Sequence, residues 1–140
     1  MKYVTSFFTL AAAGFLLTTS ARAGDVKVVA NNSVTVSSIS ADDLIGVFLM
    51  TKSSLGGGHV APVVQEGGPA HEGFLKEYIH KTAQALQNYY RSQLLAGNAS
   101  MPKILKSDAE VVEYVAKTKG VIGYVGASVS AAGVKVLEVK

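Results

Sequence analysis

Cysteine is absent from the 140-residue chain. Disulfide bonds, thiolate catalysis, zinc–cysteine sites and a lipid anchor on an N-terminal cysteine are therefore excluded. Arginine is scarce as well, since Arg22 and Arg91 are the only two and the lysines are scattered along the chain. A nucleic-acid surface needs clustered basic residues, so this distribution indicates that nucleic acids are not partners.

Long apolar runs are also missing, apart from one short run near the N-terminus. Lys2 precedes the apolar run Phe7–Leu17, and the small residues of an A-x-A pattern follow it. This pattern is typical of a secretory signal peptide and predicts residues 1–23 as that peptide, with cleavage between Ala23 and Gly24. The run is shorter than the roughly 20 residues that span a bilayer. We therefore expect a periplasmic protein with no membrane insertion after cleavage.

The remaining residues, 24–140, have the length of one domain. Their apolar spacing predicts strands in four segments: residues 25–31, 60–64, 121–125 and 134–139. Helical spacing is found in three stretches, from Ser40 to about Met50–Lys52, from 70 to Gly97 as one helix or two, and from Ser107 to Gly120. Strands that alternate with helices predict an α/β sandwich with a mixed sheet flanked by helices.

Local signals predict where the helices begin and where the chain turns. Two pairs have the spacing of capping boxes and predict helix starts: Ser40 with Asp43, and Ser107 with Glu110. Gly120 suits the left-handed position just past a helix end. Residues 53–59 and 99–106 are predicted as loops, because the first segment contains three glycines and the second a proline.

A strand-to-helix turn lies in residues 63–79, VVQEGGPAHEGFLKEYI. A Glu-Gly-Gly-Pro sequence separates an apolar strand pattern from a helical pattern. Pro69 suits the first turn of a helix, where its missing N–H costs nothing. The unpaired amides and the dipole at a helix start favour negative charge. The strand-to-helix turn, residues 65–71, is therefore a candidate anion site.

Four segments of the chain resemble, in order and spacing, the phosphate-type substrate-binding proteins of ABC transporters. They are Ser40–Lys52 (SADDLIGVFLMTK), Gly57–Val64 (GGHVAPVV), Asn88–Gly97 (NYYRSQLLAG) and Lys119–Gly126 (KGVIGYVG). The resemblance implies a type II periplasmic-binding-protein fold. Complete members are two-lobed and about twice as long, so the resemblance implies a short, single-lobe member that spans residues 24–140.

The resemblance also implies which residues face the ligand. Phosphate-binding members carry an R-x-D-G-S-G-T segment at this turn, in which the arginine pairs with the anion while the hydroxyls and a glycine amide donate hydrogen bonds. Here Gln65 stands at or next to the arginine position, and neither hydroxyl residue is present. The ligand-binding residues implied for this chain are Gln65, Gly67, Gly68, Ala70 and His71.

These replacements lower the expected affinity for phosphate. A lost charged hydrogen bond costs about 1.5–3 kcal/mol and a lost neutral one about 0.5–1.5 kcal/mol. Two interpretations therefore stay open: a binding domain that holds a small oxyanion, and an interaction or scaffold protein that kept the fold and lost the ligand. The candidate partners are phosphate or another small oxyanion, an ABC permease, and a second copy of the chain.

Enzymatic and metal-dependent functions find little support in the sequence. No serine lies in a nucleophile elbow, and no acid–base pair is evident. His59, His71 and His80 lack the i, i+4 spacing of a helical zinc site. Tyr89 and Tyr90 are predicted as core and partner-contact residues. We therefore expect a non-catalytic protein without a metal or a cofactor.

Overall fold

The computed structural model describes residues 26–98 and 101–140. The strands are β1 (Val26–Ala30), β2 (Ser38–Ile39), β3 (Ser54–Leu55), β4 (Gly58–His59), β5 (Ala61–Gln65), β6 (Lys103–Leu105), β7 (Val121–Gly126) and β8 (Lys135–Val139). The helices are α1 (Ala41–Phe48), α2 (Pro69–Phe74) with a π-helical turn at Leu75–Ile79, α3 (Ala83–Leu95) and α4 (Asp108–Lys117). None of these helices is both long enough and apolar enough to cross a membrane. The predicted signal peptide lies outside the described residues.

Six strands form one mixed sheet in the order β2-β8-β1-β7-β5-β6. Strand β1 runs antiparallel to both of its neighbours, β7 and β8, whereas the pairs β2–β8, β5–β7 and β5–β6 are parallel. The predicted α/β class with a mixed sheet flanked by helices is confirmed.

Helices cover both faces of this sheet, because side chains alternate between the faces along each strand. On β7, Ile122 and Tyr124 join the larger core beneath α1, α2 and α3. Val121 and Val125 join a smaller core beneath α4, which contributes Val111 and Val115. The central strand is therefore buried on both faces, as is typical of α/β folds.

Both predicted capping residues begin helices in the structure. The Ser40 hydroxyl accepts a hydrogen bond from the Asp43 backbone N–H at 3.1 Å, and the Ser107 hydroxyl accepts one from the Glu110 N–H at 3.2 Å. Between α2 and α3 the chain breaks at His80, which has a left-handed φ of 58°. Thr82 then caps α3, so the stretch from 70 to Gly97 contains two separate helical segments.

Two segments predicted as loops contain strands. Within 53–59 the chain forms the hairpin β3–β4, because Gly56 and Gly57 supply the two positive φ angles that a two-residue hairpin turn requires. Within 99–106, β6 pairs with β5 at the edge of the sheet. Its Lys103 and Ile104 are both exposed, so no apolar alternation marks the strand in the sequence. In addition, α1 ends at Phe48, slightly earlier than predicted.

Candidate functional site

The strand-to-helix turn lies on the side of the sheet where two other strands also end. Since β5, β6 and β7 run parallel, their last residues, Gln65, Leu105 and Gly126, end at the same side, here named the carboxyl edge. Helix α2 begins just after β5, and α4 begins just after β6. Open α/β sheets bind ligands outside this edge.

The glycines of the strand-to-helix turn are open to solvent. Gly67 and Gly68 are exposed, and a Cβ atom added to either would meet nothing within 4 Å. The backbone N–H groups of Gly67, Gly68, Ala70 and His71 donate to no acceptor among the described residues, and the first bonded N–H of the helix is that of Glu72. Gly68, Ala70 and His71 are donors that a helix start leaves without an intrahelical partner, and Gly67 lies one residue before the helix cap.

Gln65, in contrast, directs its side chain into the protein. The residue is only 5% exposed. Its Nε2 donates to Asp108 Oδ1 at 2.7 Å and to the backbone oxygen of Tyr124 at 3.0 Å, which uses both amide hydrogens. Its backbone N–H donates to Tyr124 Oη at 2.9 Å. The family's arginine position is thus taken by Gln65, whose hydrogen bonds connect β5 to β7 and to the start of α4.

His71 is buried against the same tyrosine. The residue is 5% exposed, and its Nδ1 is hydrogen-bonded to Tyr124 Oη. Tyr124 Oη accepts the N–H of Gln65, and among the described residues its own hydrogen has no acceptor other than Nδ1. We therefore assign that hydrogen to the bond with Nδ1, which places the hydrogen of the neutral ring on Nε2. Burial lowers the pKa of His71 more than the neighbouring Glu72 raises it, and burial raises the pKa of Tyr124.

We expect the buried imidazole of His71 to make stability fall at acid pH. Its pKa is lowered from the ordinary value of 6.5, so below that pH the unfolded chain binds a proton that the folded chain does not. By linkage, the free energy of unfolding drops by up to about 1.4 kcal/mol per pH unit between 6.5 and the lowered folded pKa. Urea unfolding followed by circular dichroism at several pH values measures this slope.

The control for this prediction is an exposed histidine. His71→Gln keeps an acceptor for the Tyr124 hydroxyl and should flatten the slope, whereas His80→Gln should leave it unchanged. If His71→Gln and the wild type have the same pH dependence, the buried neutral imidazole is not its source.

The charges at the strand-to-helix turn are mostly negative. Glu66 and Glu72 are both exposed, and Asp108 binds Gln65 from the start of α4. Ala70 is buried and offers only its backbone N–H. An anion at this site would therefore be held by backbone amides and opposed by nearby carboxylates.

The other candidate residues from the sequence lie elsewhere. His59 and His80 are exposed, and among residues 26–98 and 101–140 no three His, Asp or Glu side chains are placed to hold a metal ion. Tyr89 and Tyr90 donate their hydroxyls at 2.6 Å to the backbone oxygens of Leu49 and Phe48, and so tie α3 to the end of α1.

Sequence reasoning missed Tyr124 and Asp108. Tyr124 lies in a strand that was predicted correctly, and the only signal for its role was that a tyrosine in a buried strand needs a hydrogen-bond partner for its hydroxyl. Asp108 follows the helix cap Ser107, and nothing local relates it to Gln65, which lies 43 residues earlier.

A cavity near this sheet does not involve the turn. It has a volume of about 790 Å³ and lies beside β5 and β6, between Met50, Lys52, Pro62 and Tyr114. Because its lining contains no residue from 65 to 71, it gives no support to the candidate anion site.

Comparison with known proteins identifies relatives by structure alone. No protein-family model matches the chain, and no curated protein sequence does. Among solved structures, a phosphate ABC transporter substrate-binding protein from Clostridium perfringens with bound phosphate superposes with a TM-score of 0.65 at 15% identity. PstS from Borrelia burgdorferi gives 0.62 at 15% identity, and an ABC-type phosphate transport receptor from Vibrio cholerae gives 0.56 at 16%.

These superpositions cover 82–83% of this chain but only 44–47% of the three solved chains. The chain thus spans less than half of the length of each of them. The resemblance predicted from the four sequence segments is confirmed at the level of the fold. The chain has the architecture of a single lobe of the phosphate-type substrate-binding proteins of ABC transporters.

Proposed function

We propose that the chain is an exported, non-catalytic binding domain that holds a small oxyanion, such as phosphate, at the strand-to-helix turn. One observation carries this proposal: an exposed glycine turn at the carboxyl edge, whose backbone amides donate to no acceptor among the described residues. The fold adds support, because the similar Clostridium perfringens protein is described with bound phosphate. Export rests on the signal-peptide pattern of residues 1–23.

In this proposal the backbone does the binding. The amides of Gly67, Gly68, Ala70 and His71 would donate to the anion, and Gln65 would fix the turn through its bonds to Asp108 and Tyr124. No arginine or hydroxyl side chain assists within the turn. Neutral hydrogen bonds contribute about 0.5–1.5 kcal/mol each, so the four amides would support weak binding.

A second wall for the site would come from another molecule. The chain covers less than half of the length of each of the three solved neighbours. The rest of each neighbour has no counterpart in this chain. We propose that an ABC permease or a second copy of the chain supplies this wall. Light scattering with and without phosphate distinguishes a dimer from a monomer.

A second function is favoured by the side chains around the turn. Gln65 uses both amide hydrogens inside the protein, and three carboxylates belong to or adjoin the turn. These features suit an interaction or scaffold protein that has the fold without the ligand. In that case other proteins, and no small anion, would contact the carboxyl edge.

Isothermal titration calorimetry with inorganic phosphate separates the two functions. The binding proposal expects saturable binding that Gly68→Asp abolishes, because a carboxylate would then lie beside the amides. Gly68→Asn is the matched control, since it places a side chain of the same size at the same φ of 97° without the negative charge.

The outcome decides between the two functions. Binding that survives Gly68→Asn and is lost in Gly68→Asp supports the oxyanion site. If phosphate, sulfate and related oxyanions all fail to bind at millimolar concentration, the oxyanion proposal is wrong and the scaffold function stands.

A further inference from the structure

A separate cavity of about 250 Å³ lies between α3 and the β5–β6 edge of the sheet. Its wall is largely apolar, with Val64 and Ile104 from the sheet and Leu86 from α3. Five side chains with hydrogen-bond donors also line it: Gln65, His71, Gln87, Tyr90 and Arg91. Gln65 and Tyr90 already donate to groups of the protein. Gln87 and Arg91 are exposed and, like His71 Nε2, bond no described residue. This cavity is built from side chains, whereas the proposed oxyanion site is built from backbone amides.

His71 supplies a donor that the fold leaves free. Its Nδ1 is bonded to Tyr124, and its Nε2 has no hydrogen bond to any described residue although the residue is only 5% exposed. Every fully buried side-chain nitrogen or oxygen in the described residues has a partner. The free Nε2 therefore keeps some accessible surface, and His71 is one of the residues that line the cavity.

Arg91 supplies the positive charge. Within the described residues it forms no ion pair, and neither Arg91 nor Gln87 has a side-chain hydrogen bond. The chain contains no acidic residue between Glu77 and Asp108, a stretch that includes both α3 and β6. The wall formed by these two elements therefore contributes the Arg91 cation and no carboxylate.

The mixture of donors and apolar wall favours a particular ligand class. A guanidinium group matches the two oxygens of a carboxylate, and Gln87 and His71 add neutral donors. Phosphate would place additional charged oxygens against Val64, Leu86 and Ile104, and burying charge against apolar atoms is costly. A short aliphatic tail, in contrast, gains from burial there. A cavity of 250 Å³ is also below the size that drug-sized ligands need.

We infer that this cavity is a binding site for a small carboxylic acid with a short apolar body. The carboxylate lies against Arg91, Gln87 and the Nε2–H of His71, and the aliphatic part fills the space beside Leu86. The two sites share His71 but use different groups of it, the side chain here and the backbone N–H in the proposed oxyanion site. Arg91 has no part in the oxyanion site, so Arg91→Gln tests this cavity alone.

Titration of the purified protein with 3-methylbutanoate, followed by amide NMR shifts, tests this inference. We expect saturable shifts concentrated on α3 and around His71. Arg91→Gln should weaken binding by at least about 10-fold, because a charged hydrogen bond is lost. Ala83→Leu should also weaken it by filling the cavity that Ala83 lines.

Controls separate this site from general effects. Lys81→Gln removes a cation that does not line the cavity, and Ala85→Leu enlarges an exposed residue of α3 that does not line it either, so both should bind normally. Acetate tests the charge alone, 3-methylbutanol the apolar body alone, and both should bind more weakly. The inference is overturned if 3-methylbutanoate does not bind at concentrations up to about 10 mM. It is also overturned if Arg91→Gln binds 3-methylbutanoate as well as the wild type does, or if 3-methylbutanol binds as well as the acid.

Discussion

Replacement of Phe74 by alanine is expected to lower the free energy of unfolding by about 3–5 kcal/mol. The ring is 1% exposed and lies at the end of α2. Its centroid is 4.0 Å from that of Tyr124, in a stacked arrangement, and 4.7 Å from that of Phe48. Removing it leaves a cavity at the contact between α2, α1 and β7. A domain of this size has roughly 5–15 kcal/mol of stability in total, so the midpoint of urea unfolding should shift strongly.

Phe74→Leu is the control for this prediction. Leucine restores most of the apolar volume, and swaps that conserve volume usually cost less than about 1.5 kcal/mol. Phe74 also holds α2 on Tyr124, the residue that bonds His71 three positions earlier in the same helix. If the alanine and leucine variants unfold at the same urea concentration, Phe74 does not fill the core in this way.

Replacement of Gly120 by alanine should cost about 3 kcal/mol, from a strained backbone and a steric clash together. Gly120 has a φ of +74°, and an added Cβ would lie 2.6 Å from the backbone oxygen of His59. The glycine joins α4 to β7, and its backbone oxygen accepts the N–H of Ala61 at 2.9 Å. Relief of the clash would pull β5 away from β7 at the start of their pairing.

Gly97→Ala isolates the effect of the clash. Gly97 has almost the same φ, +73°, but an added Cβ would meet nothing within 4 Å. Its alanine variant should lose only the conformational part, about 1–2 kcal/mol. Urea unfolding of the two variants side by side gives the difference. Equal losses would show that contact with the His59 carbonyl adds nothing.

The sequence by itself determined the fold class and most of the local structure. Ser40 and Ser107 begin helices as predicted, because a hydroxyl that caps a helix acts on residues only three positions away. The positive φ at Gly120 was likewise predicted from its place just past a helix end. Four short segments also identified the architecture, and the superpositions on solved structures confirm it.

Partners that lie far apart in the chain decided the rest. β6 is a strand only because β5 provides its hydrogen-bond partner, and no pattern within Lys103–Leu105 indicates it. Gln65, Ala70 and His71 were all predicted as ligand-binding residues, and the structure buries the side chains of all three. A sequence pattern assigns residues to a turn, but the direction of each side chain depends on what packs against that turn.

The strand-to-helix turn shows both contributions together. Its exposed glycines and unpaired amides follow from local sequence, because a helix start always leaves N–H groups without intrahelical partners. The roles of Gln65 and His71 follow from Tyr124, which lies 59 and 53 residues away and bonds both. Only the folded sheet brings β7 beside β5, and a hydrogen bond between them depends on positions to within a fraction of an ångström. Local periodicity carries no information at that scale across such a separation.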